Sequence, residues 1–174
     1  MIFTTTETFL YYSSLVKTQR RDWFLAAMFL PASMREAVIA IYALDIELAH
    51  VHHVVKEEMM GHIRYAWWQE NIEGLHNGVV NEHPVLQAIA NINIPQESLL
   101  SIVTAYREYF PEQPPEIENI VQNVVEQYLD TVLLVMPAQA GIQTFFLSSD
   151  IISKHRKKYG AKLENWLLIK LLFV

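Results

Sequence analysis

An all-α fold, a bundle of five or six helices with short connections, is what this sequence predicts, and three observations predict it. Apolar residues recur at three- and four-residue steps over long stretches, which is the period of a helix with one buried face. Five glycines and seven prolines are too few for an all-β chain, which turns about every ten residues. The prolines also fall where helices start or stop, and no strand-like alternation is present. From Thr18 to Leu30 a helical pattern runs up to Pro31, where the preceding residue is pushed out of the helical region. Ser33-Met34-Arg35-Glu36 then reads as a capping box that starts a long helix. Its first apolar face is Val38, Ile41, Leu44, Leu48, Val51 and Val55, and a second carries Tyr42, Ile46, Ala49 and His53, so this helix belongs in the middle of the bundle. Met59 to His76 repeats the period through Ile63, Trp67 and Ile72 and closes at Asn77-Gly78, a pair suited to the left-handed end of a helix. Short helices follow His83-Pro84 and Pro95, the second running to about Phe110. After the rigid Pro111–Pro115 break another helix passes through Ile117, Ile120, Val124, Tyr128 and Val132.

Composition narrows the function classes. The 174 residues are 52% hydrophobic, with 13 Lys+Arg against 19 Asp+Glu and a formal charge of −6. One domain of ordinary size is accommodated, and dominant disorder is excluded. The absence of cysteine removes disulfides, thiolate nucleophiles and Cys-based zinc sites. An acidic chain whose only dense basic run is Lys154–Lys158 is not a general nucleic-acid binder. The first 14 residues lack the pattern of a signal peptide, and Trp166–Val174 is far below the ~20 residues of a membrane helix. The expected location is cytoplasmic, with peripheral membrane contact as an option that a short amphipathic segment allows.

Residues 21–32 (Arg21-Asp22-Trp23-Phe24-Leu25-Ala26-Ala27-Met28-Phe29-Leu30-Pro31-Ala32), followed by Arg35-Glu36-Ala37 and Ile41-Tyr42-Ala43-Leu44, resemble the opening helices of the squalene/phytoene synthase family. Glu47-Leu48-Ala49, Gly61–Trp68 and His83-Pro84-Val85 resemble a particular branch of it, one that includes proteins acting in respiratory complex I assembly. The resemblance covers about residues 18–136 and implies the N-terminal half of an isoprenoid-synthase-like helical fold. It divides the chain into an N-terminal extension (1–17), a partial squalene/phytoene-synthase-like domain (18–136) and an atypical tail (137–174). The tail reads either as a loop and one more helix or, because Pro137-Ala138-Gln139-Ala140-Gly141-Ile142-Gln143 looks like the translated form of a dispersed bacterial repeat element, as an insertion or altered frame that leaves the domain truncated.

Active members of the family join prenyl diphosphates on magnesium ions held by two Asp-rich motifs. Mg²⁺ wants hard carboxylate oxygens, and residues four apart stack on one helix face. By resemblance the first motif here begins at Ala49, has His50 second and ends at His53, so a methyl and an imidazole replace its outer carboxylates. Imidazole suits zinc, copper or iron better than magnesium. No catalytic residue, metal ligand or cofactor is therefore assigned; magnesium is expected only if the chain is a transferase.

Tyr42, Ala49, His50, His53, Arg64 and Trp67 are the ligand-pocket candidates. Tyr42 matches a tyrosine that the family places near its cavity. Arg64, inside an aromatic helix, needs an anion, which Glu36, Glu47 or a ligand phosphate would supply. Trp67, Trp68, Tyr65 and Trp23 line either a lipid pocket or the core. His50, His52, His53 and His62 form a transition-metal site, a pH sensor or a plain group, with His50 and His52 exposed and His53 turned inward in the last case. Glu47-x-x-His50 and Glu73-x-x-His76 have the spacing of a di-iron bundle, but His76 ends its helix and two further glutamates would be required. The function expected is binding without turnover, of a protein partner or a lipid-like isoprenoid ligand, as in complex I assembly. A head-to-head prenyl-diphosphate transferase is the alternative, and a truncated remnant without function is the third reading. An exposed apolar face would then favour self-association.

Overall fold

The computed structural model describes residues 5–135, and every regular element among them is helical: α1 (Thr5–Gln19), α2 (Arg21–Met28), α3 (Ala32–Val54), α4 (Glu58–His76), α5 (Pro84–Ala90), α6 (Gln96–Tyr109) and α7 (Ile117–Val135). Seven helices replace the expected five or six because the chain is helical from Thr5 and breaks at Arg20, whose φ of −136° and ψ of 62° are not helical. Residues 5–17, set apart in the sequence as an extension, thus form most of α1 and bury Tyr12 and Val16. The atypical tail lies outside the described residues.

The start of α3 differs from the capping box. Pro31 is the N-cap, and its carbonyl accepts from the amides of Met34 (3.0 Å) and Arg35 (2.9 Å). Proline's fixed φ suits that entry, so Ser33 falls inside the first turn and Glu36 stands too far along to cap it. The helix expected from Thr18 to Leu30 is instead divided at Arg20 between α1 and α2, while from the end of α3 onward the boundaries agree with the sequence to within a residue or two. Gly78 takes φ +75° just past α4, where a side chain would be strained. Pro84 opens α5, with His83 as its cap.

Helix α3 is the axis of the bundle and contacts each of the other six helices. Ile39, Ile41, Leu44 and Leu48 are fully buried along it. At roughly 1.5–3 kcal/mol for each large aliphatic side chain taken from water, this helix supplies a major part of the driving force. Among the described residues its Met34–Val54 segment alone is long and apolar enough to cross a membrane, but 67% of it is buried within the bundle, as a core helix would be. Helix α4 packs on α3 and α6 through Gly61, Tyr65, Trp68 and Ile72, the i, i+4, i+7, i+11 row that faces inward.

Candidate functional site

The second half of α3 and the outer side of α4 hold most of the residues that the sequence singles out. What stands one turn before them explains why they point as they do. Asp45 is fully buried. The Tyr106 hydroxyl of α6 donates to its Oδ1 at 2.8 Å, and Arg20 reaches Oδ2 at 3.5 Å. Arg20 also meets Glu118 of α7 at 3.3 Å and lies 4.9 Å over the Trp23 ring. One carboxylate therefore joins the α1–α2 break, α3 and α6, with α7 attached through Arg20. Burial raises the Asp45 pKa, opposed by the hydrogen bond from Tyr106 and by Arg20. Burial, then the Asp45 charge, pushes the Tyr106 hydroxyl far above its ordinary value. Sequence reading passed over this network. The signal was a single charge inside the ten-residue run Ala37–Ile46, which buried charges tolerate only with partners.

At the Asp-rich motif positions, Ala49 is half-buried against the core, while His50 and His53 are exposed. His53 does not turn inward as expected. His52 does, because it continues the Leu44, Leu48 row that faces the core. Its ring lies edge-on to Phe110 at 6.1 Å and to His53 at 5.5 Å, and its Nδ1 is buried with no hydrogen-bond partner among the described residues. Burial first, then the neighbouring His53, lowers its pKa. His62 touches the same Phe110 ring at 5.9 Å and pairs with Glu58 at 3.8 Å. The histidines thus meet around a phenylalanine, and among the described residues no group of three or more His, Asp or Glu is placed to hold a metal ion.

Tyr42 lies apart from these residues. It is buried, its ring is 4.7 Å from Trp23, and it hydrogen-bonds Gln122 of α7. Burial pushes its hydroxyl up to about 12, so its place is in the core. Arg64 is exposed, and neither proposed carboxylate meets it, because it stands on the outer side of α4 while Tyr65 takes the inward row. Glu47 accepts instead from the Tyr11 hydroxyl at 2.7 Å. Trp23, Tyr65 and Trp68 are core residues, whereas Trp67 is 38% exposed and packs edge-on to Trp68 and to His83 at 6.2 Å. His83 in turn meets Trp68 at 5.0 Å and Tyr11 at 6.4 Å. Its Nδ1 accepts the Val85 amide at 3.3 Å, so the proton sits on Nε2 in the neutral ring. Burial lowers its pKa, against the pull of Glu47. Trp67, His83, Tyr11 and Glu47 form a continuous surface cluster joining α4, α5, α1 and α3, which local sequence spacing had no means to show. Met59, Met60 and Ile63 extend the exposed side of α4 from Trp67 toward its start.

Magnesium does not fit these residues. Ala49 offers no donor, the imidazoles at 50 and 53 are soft, and Asp45, one turn away, is committed to Tyr106 and Arg20. For the di-iron spacing, Glu47 accepts from Tyr11 and Glu73 from Gln69 at 2.9 Å, and among the described residues neither joins a group of three or more His, Asp or Glu placed to hold a metal ion.

Comparison with known proteins bears on this surface. Residues 16–130 match the family model for squalene/phytoene synthase. Human NADH dehydrogenase (ubiquinone) complex I, assembly factor 6, is 25% identical over 134 residues, covering 72% of this chain and 40% of its own length. The mouse protein of the same name is 23% identical over 135 residues, covering 73% and 40%, and the bovine one 22% over 134 residues, covering 72% and 40%. The chain therefore spans about two fifths of the length of these relatives. No solved structure matches.

Proposed function

The chain belongs to the squalene/phytoene synthase family, and on that premise we propose that it acts by binding a protein partner in the assembly of NADH dehydrogenase complex I, without prenyl transfer. One observation carries the reading: at the positions where the family's chemistry needs carboxylates, this chain presents Ala49, His50 and His53, and the nearby carboxylate, Asp45, is locked in the core. The residues proposed to make contact are the accessible ones of α3 and α4, namely Ala49, His50, His53, Arg64 and Trp67. Tyr42 supports them from within. Cytoplasmic location and peripheral membrane contact belong to the same proposal, as does a lipid-like chain as a lesser ligand.

The test has two arms. Purified protein given farnesyl or geranylgeranyl diphosphate with Mg²⁺ is expected to release no pyrophosphate above the protein-free blank; release with formation of a condensed product establishes the transferase instead. Disrupting the coding sequence in its host is expected to reduce assembled complex I, read as NADH dehydrogenase activity on native gels, with isoprenoid products unchanged. Normal complex I in that strain removes the assembly reading.

A further inference from the structure

A pocket of about 250 Å³ opens at the junction of α1, α3, α5 and α7, lined in part by Phe9, Tyr12, Glu36, Gln87, Asn91 and Tyr128. It lies apart from the Asp-rich motif positions. Its α3 residue Ala37 lies 12 positions before Ala49, about 18 Å along the helix axis.

The lining has a consistent chemistry. Three aromatic side chains contribute: Phe9 and Tyr12 meet edge to face at 5.4 Å, and Tyr12 and Tyr128 are almost wholly removed from solvent. Among the described residues the charged side chain in the lining is Glu36, and no Lys, Arg or His joins it. Because α3 starts at Pro31, Glu36 has no role in capping the helix. Its charge is felt by Tyr12, whose hydroxyl is pushed up to about 12 by burial and then by Glu36. The amides supply acceptors. Thr8 donates to Gln87 Oε1 at 3.2 Å, and Asn91 donates its Nδ2 to the Gln87 carbonyl at 3.0 Å, so that its Oδ1 is the acceptor end of the amide.

We propose that this pocket binds a small organic ammonium ion, the Glu36 carboxylate supplying the opposite charge and the rings of Phe9, Tyr12 and Tyr128 the apolar, electron-rich wall. Aromatic faces attract ammonium groups through their quadrupole, and the attraction grows as water is excluded. An anion is repelled by Glu36. A neutral ligand of the same shape leaves the carboxylate unused. At about 250 Å³ the pocket is smaller than the usual site for a drug-sized molecule, so a compact headgroup fits and a long prenyl chain does not.

The test is a titration of the full chain with choline chloride, followed by two-dimensional NMR, beside its uncharged isostere 3,3-dimethyl-1-butanol. Saturable shifts at α1, α5 and α7 are expected with choline, with about tenfold weaker binding of the alcohol. Glu36→Gln, an exposed position that leaves the fold intact, is expected to weaken choline about tenfold, and Asn91→Asp, which adds a second carboxylate, to strengthen it. Monomeric dihexanoylphosphatidylcholine distinguishes the source: tighter binding than choline assigns a lipid headgroup, and equal or weaker binding assigns a free amine. Equal binding of the alcohol, indifference to Glu36→Gln in a folded variant, or no saturable shift overturns the proposal.

Discussion

Asp45 and His53 stand about two turns apart on α3, and the chain treats them in opposite ways. Around Asp45 every side of the helix is covered, and the carboxylate is held by a tyrosine from α6 and an arginine from the α1–α2 break. Around His53 the helix has lost part of its cover: His50 and His53 meet water, while Val51 stays buried and His52 is half-buried against Phe110. The contrast teaches where the charge of a family helix is worth keeping. A buried carboxylate that ties four segments together resists loss, because removing one partner strands the others. Side chains that meet water and hold no other element cost little to exchange.

The largest expected effect tests this contrast directly. Asp45→Ala strands the Tyr106 hydroxyl and leaves a cavity, and is expected to cost about 3–5 kcal/mol in urea unfolding. His50→Ala and His53→Ala are expected to stay within about 0.5 kcal/mol of the parent. Comparable losses at the two ends would show that α3 is not divided as described.

Gly61 sharpens the comparison from the α4 side. A Cβ there would collide with the Phe110 ring, the same ring that His52 and His62 touch. Gly61→Ala is expected to cost about 1–3 kcal/mol through overpacking, and Gly61→Ala with Phe110→Leu to cost less than the sum of the two single changes. Strict additivity in unfolding experiments would mean that the ring simply swings aside.

Acid–base behaviour separates the two ends next. The folded pKa of Asp45 lies above its ordinary 3.8, so the folded state holds the proton more tightly. Stability from this group is then full below about pH 4 and is lost as pH rises through the folded pKa. Measured against the non-titrating Asp45→Asn variant, the urea midpoint of the parent is expected to fall as pH rises through that window. A difference between the two proteins that is flat from pH 4 to 8 would mean that Tyr106 and Arg20 fully offset the burial.

How much of this was legible in the sequence follows from the same division. Helix positions and the centrality of α3 were readable because periodicity and proline placement are local. The family resemblance was readable because Arg21–Ala32, Glu47–Ala49 and Gly61–Trp68 occur in order. The start of α3 was not, since Ser33–Glu36 satisfies the capping pattern while Pro31 does the work. Arg64 was assigned an anion because its neighbours Tyr65, Trp67 and Trp68 are aromatic, yet Trp67 shares its outer side of α4 and only Tyr65 and Trp68 face inward. The Asp45–Tyr106 and Tyr11–Glu47 bonds join residues 61 and 36 positions apart, and no local pattern encodes such pairs.

The smallest expected effect lies at His52, and its sign is opposite to that of Asp45. Burial and the adjacent His53 hold its pKa below the ordinary 6.5, so the unfolded chain binds the proton more readily than the folded one. The stability this residue contributes is complete above about pH 6.5 and is lost as pH falls from there through the folded pKa. His52→Phe keeps an aromatic ring against Phe110 and removes the titrating group with its unpartnered Nδ1, so it is expected to flatten the acid side of the stability profile in that window. His53→Ala removes the second cause and is expected to bring the His52 titration, followed by the Cε1–H resonance, part of the way back toward 6.5 without restoring it, since burial is the larger cause. A His52 that titrates at or above 6.5 in the parent protein would place its ring in water beside His53, and the inward turn that divides this end of α3 would have to be given up.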